Sequence, residues 1–119
     1  MIPGPIQEQW LQTLEQHPER QLRHKLGHRT DEGDKMCCLG QLGLLAGICE
    51  WHMKTLKTIP LHLVNILYDF KSVGLYSGSG RSKDFAFPAL SKLNDSGKTW
   101  PEIAAIVRAN PDHYFTHAV

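Results

Sequence analysis

The chain has 119 residues, enough for one domain spanning 1–119, and its 41% of hydrophobic residues can build a core without metal or disulfide staples. Lys and Arg number 13 against 12 Asp and Glu, a formal charge of +1 that excludes a dedicated nucleic-acid binder and a protein built for anionic membrane surfaces. Three Cys, two of them adjacent, suit a reducing compartment, and no apolar run reaches the ~18–20 residues of a membrane span or forms the core of a signal peptide, so the expected location is cytoplasmic.

Pro5 stands where a helix would begin, and Ile6, Trp10 and Leu14 recur at i, i+4 and i+8, predicting a first helix over Pro5–Gln16 that stops at His17-Pro18. Residues 21–29 read as a short strand or irregular loop, because Gly27 and the polar run from Thr30 to Asp34 punctuate them closely; a small hairpin between residues 20 and 38 follows from that reading. The apolar stretch Met36–Gly47 predicts a buried helix, with Asp34 as N-cap and Gly47 just past its end.

Pro60 opens a third predicted helix carrying Leu63, Val64, Leu67 and Phe70 on one face, closed by Gly74. Residues 76–84 have the composition of a mobile loop. Pro88–Asp95 reads as a short helix ended by Ser96-Gly97. Thr99-Trp100-Pro101-Glu102 is a capping box, followed by the apolar stripe Ile103, Ile106 and Val107 and a stop at Asn110-Pro111. Residues 112–119 read as a frayed tail. The expected fold is mainly α: a single small domain of four or five short helices with one short β-hairpin.

Trp10-x-x-x-Leu14, Gln21-Leu22-Arg23, Asp34-Lys35-Met36-Cys37-Cys38-Leu39-Gly40, and Leu93-Asn94-Asp95 with Gly97, Thr99, Glu102, Ile103 and Ala104 form an ordered set of motifs. In that order they resemble a family of small uncharacterised proteins of tailed phages and prophages, which share a Cys-Cys-Leu-Gly motif and a later Leu-Asn-Asp motif. The resemblance covers residues 10–110; Trp100-Pro101 replaces the family's usual Phe-Ala. It implies a phage accessory protein of the class that blunts bacterial immunity, by binding host proteins or by sequestering or cleaving nucleotide signals.

The candidate chemistry is modest. Cys37 and Cys38 near a helix start suggest either thiols activated by helix amides or small buried hydrophobes, and packing is the preferred reading. His24 and His28, with Cys37, Cys38, Cys49 and His52, supply zinc-type ligands, but no C-x-x-C pair or H-E-x-x-H string organises them, so neither a metal nor a cofactor is expected. Ser77-Gly78-Ser79-Gly80-Arg81 offers an anion nest with a guanidinium beside it. Asn94-Asp95 reads as a helix-end cap or as a pair contacting a sugar and base, and Trp51, in a polar stretch, as an exposed ring.

The expected site therefore takes Arg23 and Arg81 to a phosphate and Asn94, Asp95 and an aromatic ring such as Trp51 to the sugar and base of a nucleotide-like ligand, with His28 as a further ligand-binding residue. The expected protein is a homo-oligomeric sequestering protein. Two other readings compete: inhibition of a host enzyme through a patch around Trp51 and Met53, or hydrolysis of a cyclic nucleotide with His24 or His28 as acid and base.

Overall fold

The computed structural model describes residues 1–23, 25–30, 33–47, 58–60, 70–84 and 86–119. Among them run α1 (Pro5–Gln16), β1 (Lys25–Thr30), β2 (Gly33–Met36), α2 (Cys38–Leu45), β3 (Thr58–Pro60), α3 (Leu90–Asp95), α4 (Trp100–Ala109) and α5 (Pro111–Tyr114), with 3-10 turns at Pro18–Arg20 and Phe70–Val73. The fold is mainly α, and the predicted hairpin is present as β1 and β2.

Helix α1 begins on Pro5, whose missing N–H costs nothing at that position. It buries Gln7, Trp10, Leu11 and Leu14, a stripe of period i, i+3, i+4, i+7. The buried face is rotated from the predicted one: Ile6 lies at its margin and the polar Gln7 is fully enclosed. Burial of Gln7 is tolerated because its amide is satisfied, Oε1 accepting from the Gly4 N–H at 2.9 Å and Nε2 donating to the carbonyls of Val73 at 3.2 Å and His117 at 2.9 Å.

Strand β1 is central in an antiparallel sheet ordered β2-β1-β3. Pro60, expected to open a helix, ends edge strand β3 opposite Lys25, where a missing ladder donor is tolerated. Of the helix predicted to follow, the positions of Leu63, Val64 and Leu67 lie outside the described residues, while Phe70 belongs to a 3-10 turn closed by Gly74 at φ +82°.

Helix α2 starts later than predicted. Asp34 is paired with Arg29 inside the hairpin, and the N-cap is Cys37, whose Sγ accepts from the Gly40 N–H at 3.4 Å. Gly47 closes the helix end at φ +76°, as its position implied. The Thr99 capping box forms in both directions: Thr99 Oγ1 accepts from the Glu102 N–H at 3.4 Å, and Glu102 Oε1 accepts from the Thr99 N–H at 3.1 Å.

The core joins Trp10, Leu11 and Leu14 of α1, Cys38, Leu39 and Leu42 of α2, and Trp100, Ile103 and Val107 of α4. The C-terminal stretch completes it. Tyr114 and Phe115 are buried, the Phe115 ring meets Trp10 edge-on with centroids 6.0 Å apart, and Phe115 bridges to Leu75. The Val119 oxygen accepts from the amides of Ile6 at 3.0 Å and Gln7 at 3.1 Å, groups left without partners in the first turn of α1. The tail is thus a structural element, against the frayed end expected from composition; two aromatic residues within it supply the apolar area that holds it down.

Candidate functional site

The Gln21-Leu22, Cys37-Cys38-Leu39-Gly40 and Leu93-Asn94-Asp95 segments meet at one corner. The Asn94 side chain, at the end of α3, is fully buried, and its Oδ1 accepts from Gln21 Nε2 at 3.1 Å and from the Cys38 N–H at 3.3 Å. Its Nδ2 donates to the Leu22 carbonyl at 2.7 Å and to Asp95 Oδ1 at 3.3 Å. Gln21 extends the network, donating from Nε2 to the Lys98 carbonyl at 2.7 Å and accepting the Trp100 N–H at 3.1 Å. The Cys38 carbonyl accepts the Trp10 indole N–H at 2.8 Å. The Gln-Leu-Arg, Cys-Cys-Leu-Gly and Leu-Asn-Asp segments thereby hold α1, α2, α3 and the entry to β1 together. Asn94 has both donors and its acceptor engaged, so its place is in the scaffold, beneath any ligand-contacting surface.

The two thiols belong to the same corner. Burial, the dominant cause, pushes the Cys37 thiol up to about 12 and the Cys38 thiol well above the ordinary range, with the nearby Asp95 charge acting in the same direction on both. A helix start does not make Cys37 a thiolate here, because desolvation outweighs the amide bonds to its sulfur. Both residues pack as small hydrophobes.

Arg81 lies at the other end of α3. Backbone bonds join Leu90 N–H to the Gly80 carbonyl at 2.9 Å and Ser91 N–H to the Ser79 carbonyl at 3.1 Å, while Asn94 and Asp95 end the same helix, roughly 6–8 Å further along its axis. The Ser/Gly loop is a hydrogen-bonded turn. The Gly80 N–H donates to the Ser77 carbonyl at 3.1 Å and the Arg81 N–H to Ser77 Oγ at 3.3 Å, so those amides are not directed into an anion nest. Gly80, at φ +69°, is required where it stands: a Cβ there would lie 2.6 Å from Leu90 Cβ.

The turn builds a cleft of about 290 Å³ lined by Tyr76, Arg81, Ser82 and Lys83. Arg81 and Lys83 are exposed at its edge, whereas Ser82 is buried. The Tyr76 hydroxyl donates to the Asp112 carbonyl at 3.3 Å and the Lys83 N–H to the His113 carbonyl at 2.6 Å, pinning both cleft residues to α5. The Asp112 carboxylate is held by the Met1 amino group at 2.8 Å, which leads Lys83 among the charges that lower its pKa.

Arg23 is exposed and follows Leu22 at the Asn94 end, so it shares a corner with Asp95 and not with Arg81. His28 lies in β1 between Lys35 of β2 and Thr58 of β3. Trp51, His24, Cys49 and His52 lie outside the described residues, and among those described no group of His, Cys, Asp and Glu is arranged to hold a metal. No helix among them is long and apolar enough to cross a membrane. Sequence reasoning passed over Tyr76 and Lys83 as cleft-lining residues; the signal available was Lys83 two residues from Arg81. Comparisons with protein-family models, curated proteins and solved structures find no match for this chain.

Proposed function

We propose that this chain is a cytoplasmic phage accessory protein of the Cys-Cys-Leu-Gly group that binds and sequesters a small phosphorylated ligand, such as a nucleotide immune signal, as a homo-oligomer. The observation that carries the reading is the Tyr76–Lys83 cleft, where a guanidinium and an ammonium stand beside an aromatic ring and a hydroxyl. Arg81 and Lys83 take the phosphate through charge-assisted bonds, and the Tyr76 ring takes the apolar part of the ligand. Sequestration is favoured over cleavage because the two described thiols are buried and held protonated, which removes the most reactive nucleophile type from service. Asn94 and Gln21 act at a distance, fixing the scaffold on which α3 carries the cleft turn.

The test is to incubate purified protein with a panel of nucleotides, remove unbound material, heat, and resolve the released compounds by chromatography. Recovery of an intact nucleotide is the expected result. New products would replace sequestration with hydrolysis, and an empty release fraction would reject the nucleotide reading in favour of a protein target.

A further inference from the structure

The middle of the cleft turn rests on α3, through the bonds that Leu90 and Ser91 donate to the Gly80 and Ser79 carbonyls. Its two ends, which carry Tyr76 and Lys83, are tied instead to the stretch that runs from α5 to Val119. The Tyr76 hydroxyl donates to the Asp112 carbonyl at 3.3 Å and the Lys83 N–H to the His113 carbonyl at 2.6 Å. Just ahead of the turn, the Thr116 N–H donates to the Gly74 carbonyl at 2.7 Å, beside the Leu75–Phe115 bridge. Displacing that stretch would leave Ser79 and Gly80 seated on α3 and release the cleft residues at both ends of the turn.

The far end of the same stretch lies over the start of α1. Thr116, His117 and Ala118 are exposed, and polar bonds seat them: Gln7 Nε2 donates to the His117 carbonyl at 2.9 Å, and the Val119 oxygen accepts from the amides of Ile6 and Gln7. The fit is close, since a Cβ on Gly74 would lie 2.6 Å from Gln7 Nε2 and 2.7 Å from the His117 oxygen. Gln7 makes this seat all-or-none. Its buried amide also donates to the Val73 carbonyl at 3.2 Å, so partial lifting would leave a buried polar group short of a partner, whereas complete lifting lets water reach it. Phe115, whose ring meets Trp10 at 6.0 Å and whose backbone pairs with Leu75, lies between the bonds to α1 and the bonds to the cleft turn and joins them.

We infer that residues 112–119 form a strap whose seating on α1 assembles the Tyr76–Lys83 cleft, the two opening and closing as one unit. Binding at the cleft is thereby coupled to the state of the first turn of α1, a regulation of the site that takes its ligand from the proposed function.

Hydrogen exchange of the full chain, read by NMR at single amides under rising sub-denaturing urea, tests the strap without a ligand. Thr116 and Lys83 should exchange through one shared opening, with a smaller urea dependence than Leu14 of α1, which waits for global unfolding. Gly4→Ala, which crowds Val119, should speed Thr116 and Lys83 by the same factor, about tenfold or more. Gly47→Ala, where an added Cβ meets nothing within 4 Å, should speed Leu14 and leave those two unchanged. The urea series and Gly47→Ala decide the matter even if Gly4→Ala does not fold. Separate openings for Thr116 and Lys83, or acceleration of both with Leu14 in Gly47→Ala, would overturn the strap. Adenosine monophosphate at about ten times its Kd should slow both amides about tenfold, because it binds the closed form. Slowing of Lys83 alone would overturn the coupling. Shared exchange with no binding of adenosine monophosphate or inorganic phosphate would uphold the strap and overturn the proposed function instead.

Discussion

The Asn94 carboxamide oxygen lies 3.3 Å from the Cys38 amide, joining residues 56 positions apart in a buried hydrogen bond. The first N–H groups of a helix have no intrahelical partner, and Asn94 supplies one for α2 from a separate element. The same side chain holds Gln21 and the Leu22 carbonyl, so one residue ties three distant segments.

Asn94→Ala should therefore cost about 3 kcal/mol, because it leaves the buried Cys38 N–H, the part-buried Leu22 carbonyl and the Gln21 amide short of partners. Asn94→Asp should be at least as damaging: it keeps an acceptor toward Cys38 but turns a carboxylate oxygen toward the Leu22 carbonyl, beside Asp95. Urea unfolding is the measurement, with a lower midpoint and an unchanged slope. A loss below about 1 kcal/mol, accompanied by weaker nucleotide binding, would return Asn94 to the ligand and take it out of the scaffold.

The buried thiols predict how stability depends on alkali. In the unfolded chain a Cys titrates near about 8.5–9, whereas Cys37 in the folded chain is pushed up to about 12 by burial. Between those values the unfolded state releases a proton that the folded state keeps, so folding stability is fully present below the unfolded pKa and falls as pH rises toward the folded one. The expected slope is a loss of about 1.4 kcal/mol per pH unit for each buried thiol. Measured in a Cys49→Ala background, chemical denaturation at pH 8, 9 and 10 should show the decline, and Cys37→Ala should reduce it. Thiol reagents should label both remaining cysteines slowly in the native protein and rapidly in urea; fast native labelling would show that burial does not control them.

The elements legible in the sequence were those whose cause is local. Pro5, the Thr99–Glu102 box and Gly47 mark helix ends through interactions within a turn, and each stands where the sequence placed it. What escaped depends on distant partners. Asp34 is as good a cap residue as any by type, yet the hairpin claims it and leaves Cys37 to cap α2. Gln7 reads as a polar surface residue until the tail and the Val73 carbonyl bring it partners, and the tail looks frayed until Trp10 offers a ring to Phe115. The same holds for the candidate site: the Arg81 turn was visible as composition, but Tyr76 joins it only because α5 passes close enough to take its hydroxyl.

Gly4 gives the sharpest test of the closure between the two ends of the described chain. Its backbone is extended at φ −75°, so an alanine would meet no conformational penalty, but a Cβ there would lie 2.4–2.5 Å from backbone atoms of Val119. Gly4→Ala must push the tail away, costing the two amide bonds that Ile6 and Gln7 donate to Val119, with an expected loss of about 2 kcal/mol. Gly47→Ala is the opposite case: nothing lies within 4 Å, and only the backbone at φ +76° resists it, at about 1–2 kcal/mol. Removing Val119 separates the two. In the shortened chain Gly4→Ala should cost almost nothing beyond the truncation itself, whereas the Gly47→Ala loss should persist unchanged, as expected for a coupled pair and an independent site. Equal losses for Gly4→Ala with and without Val119, measured by urea denaturation, would mean that the tail does not rest on the first turn of α1.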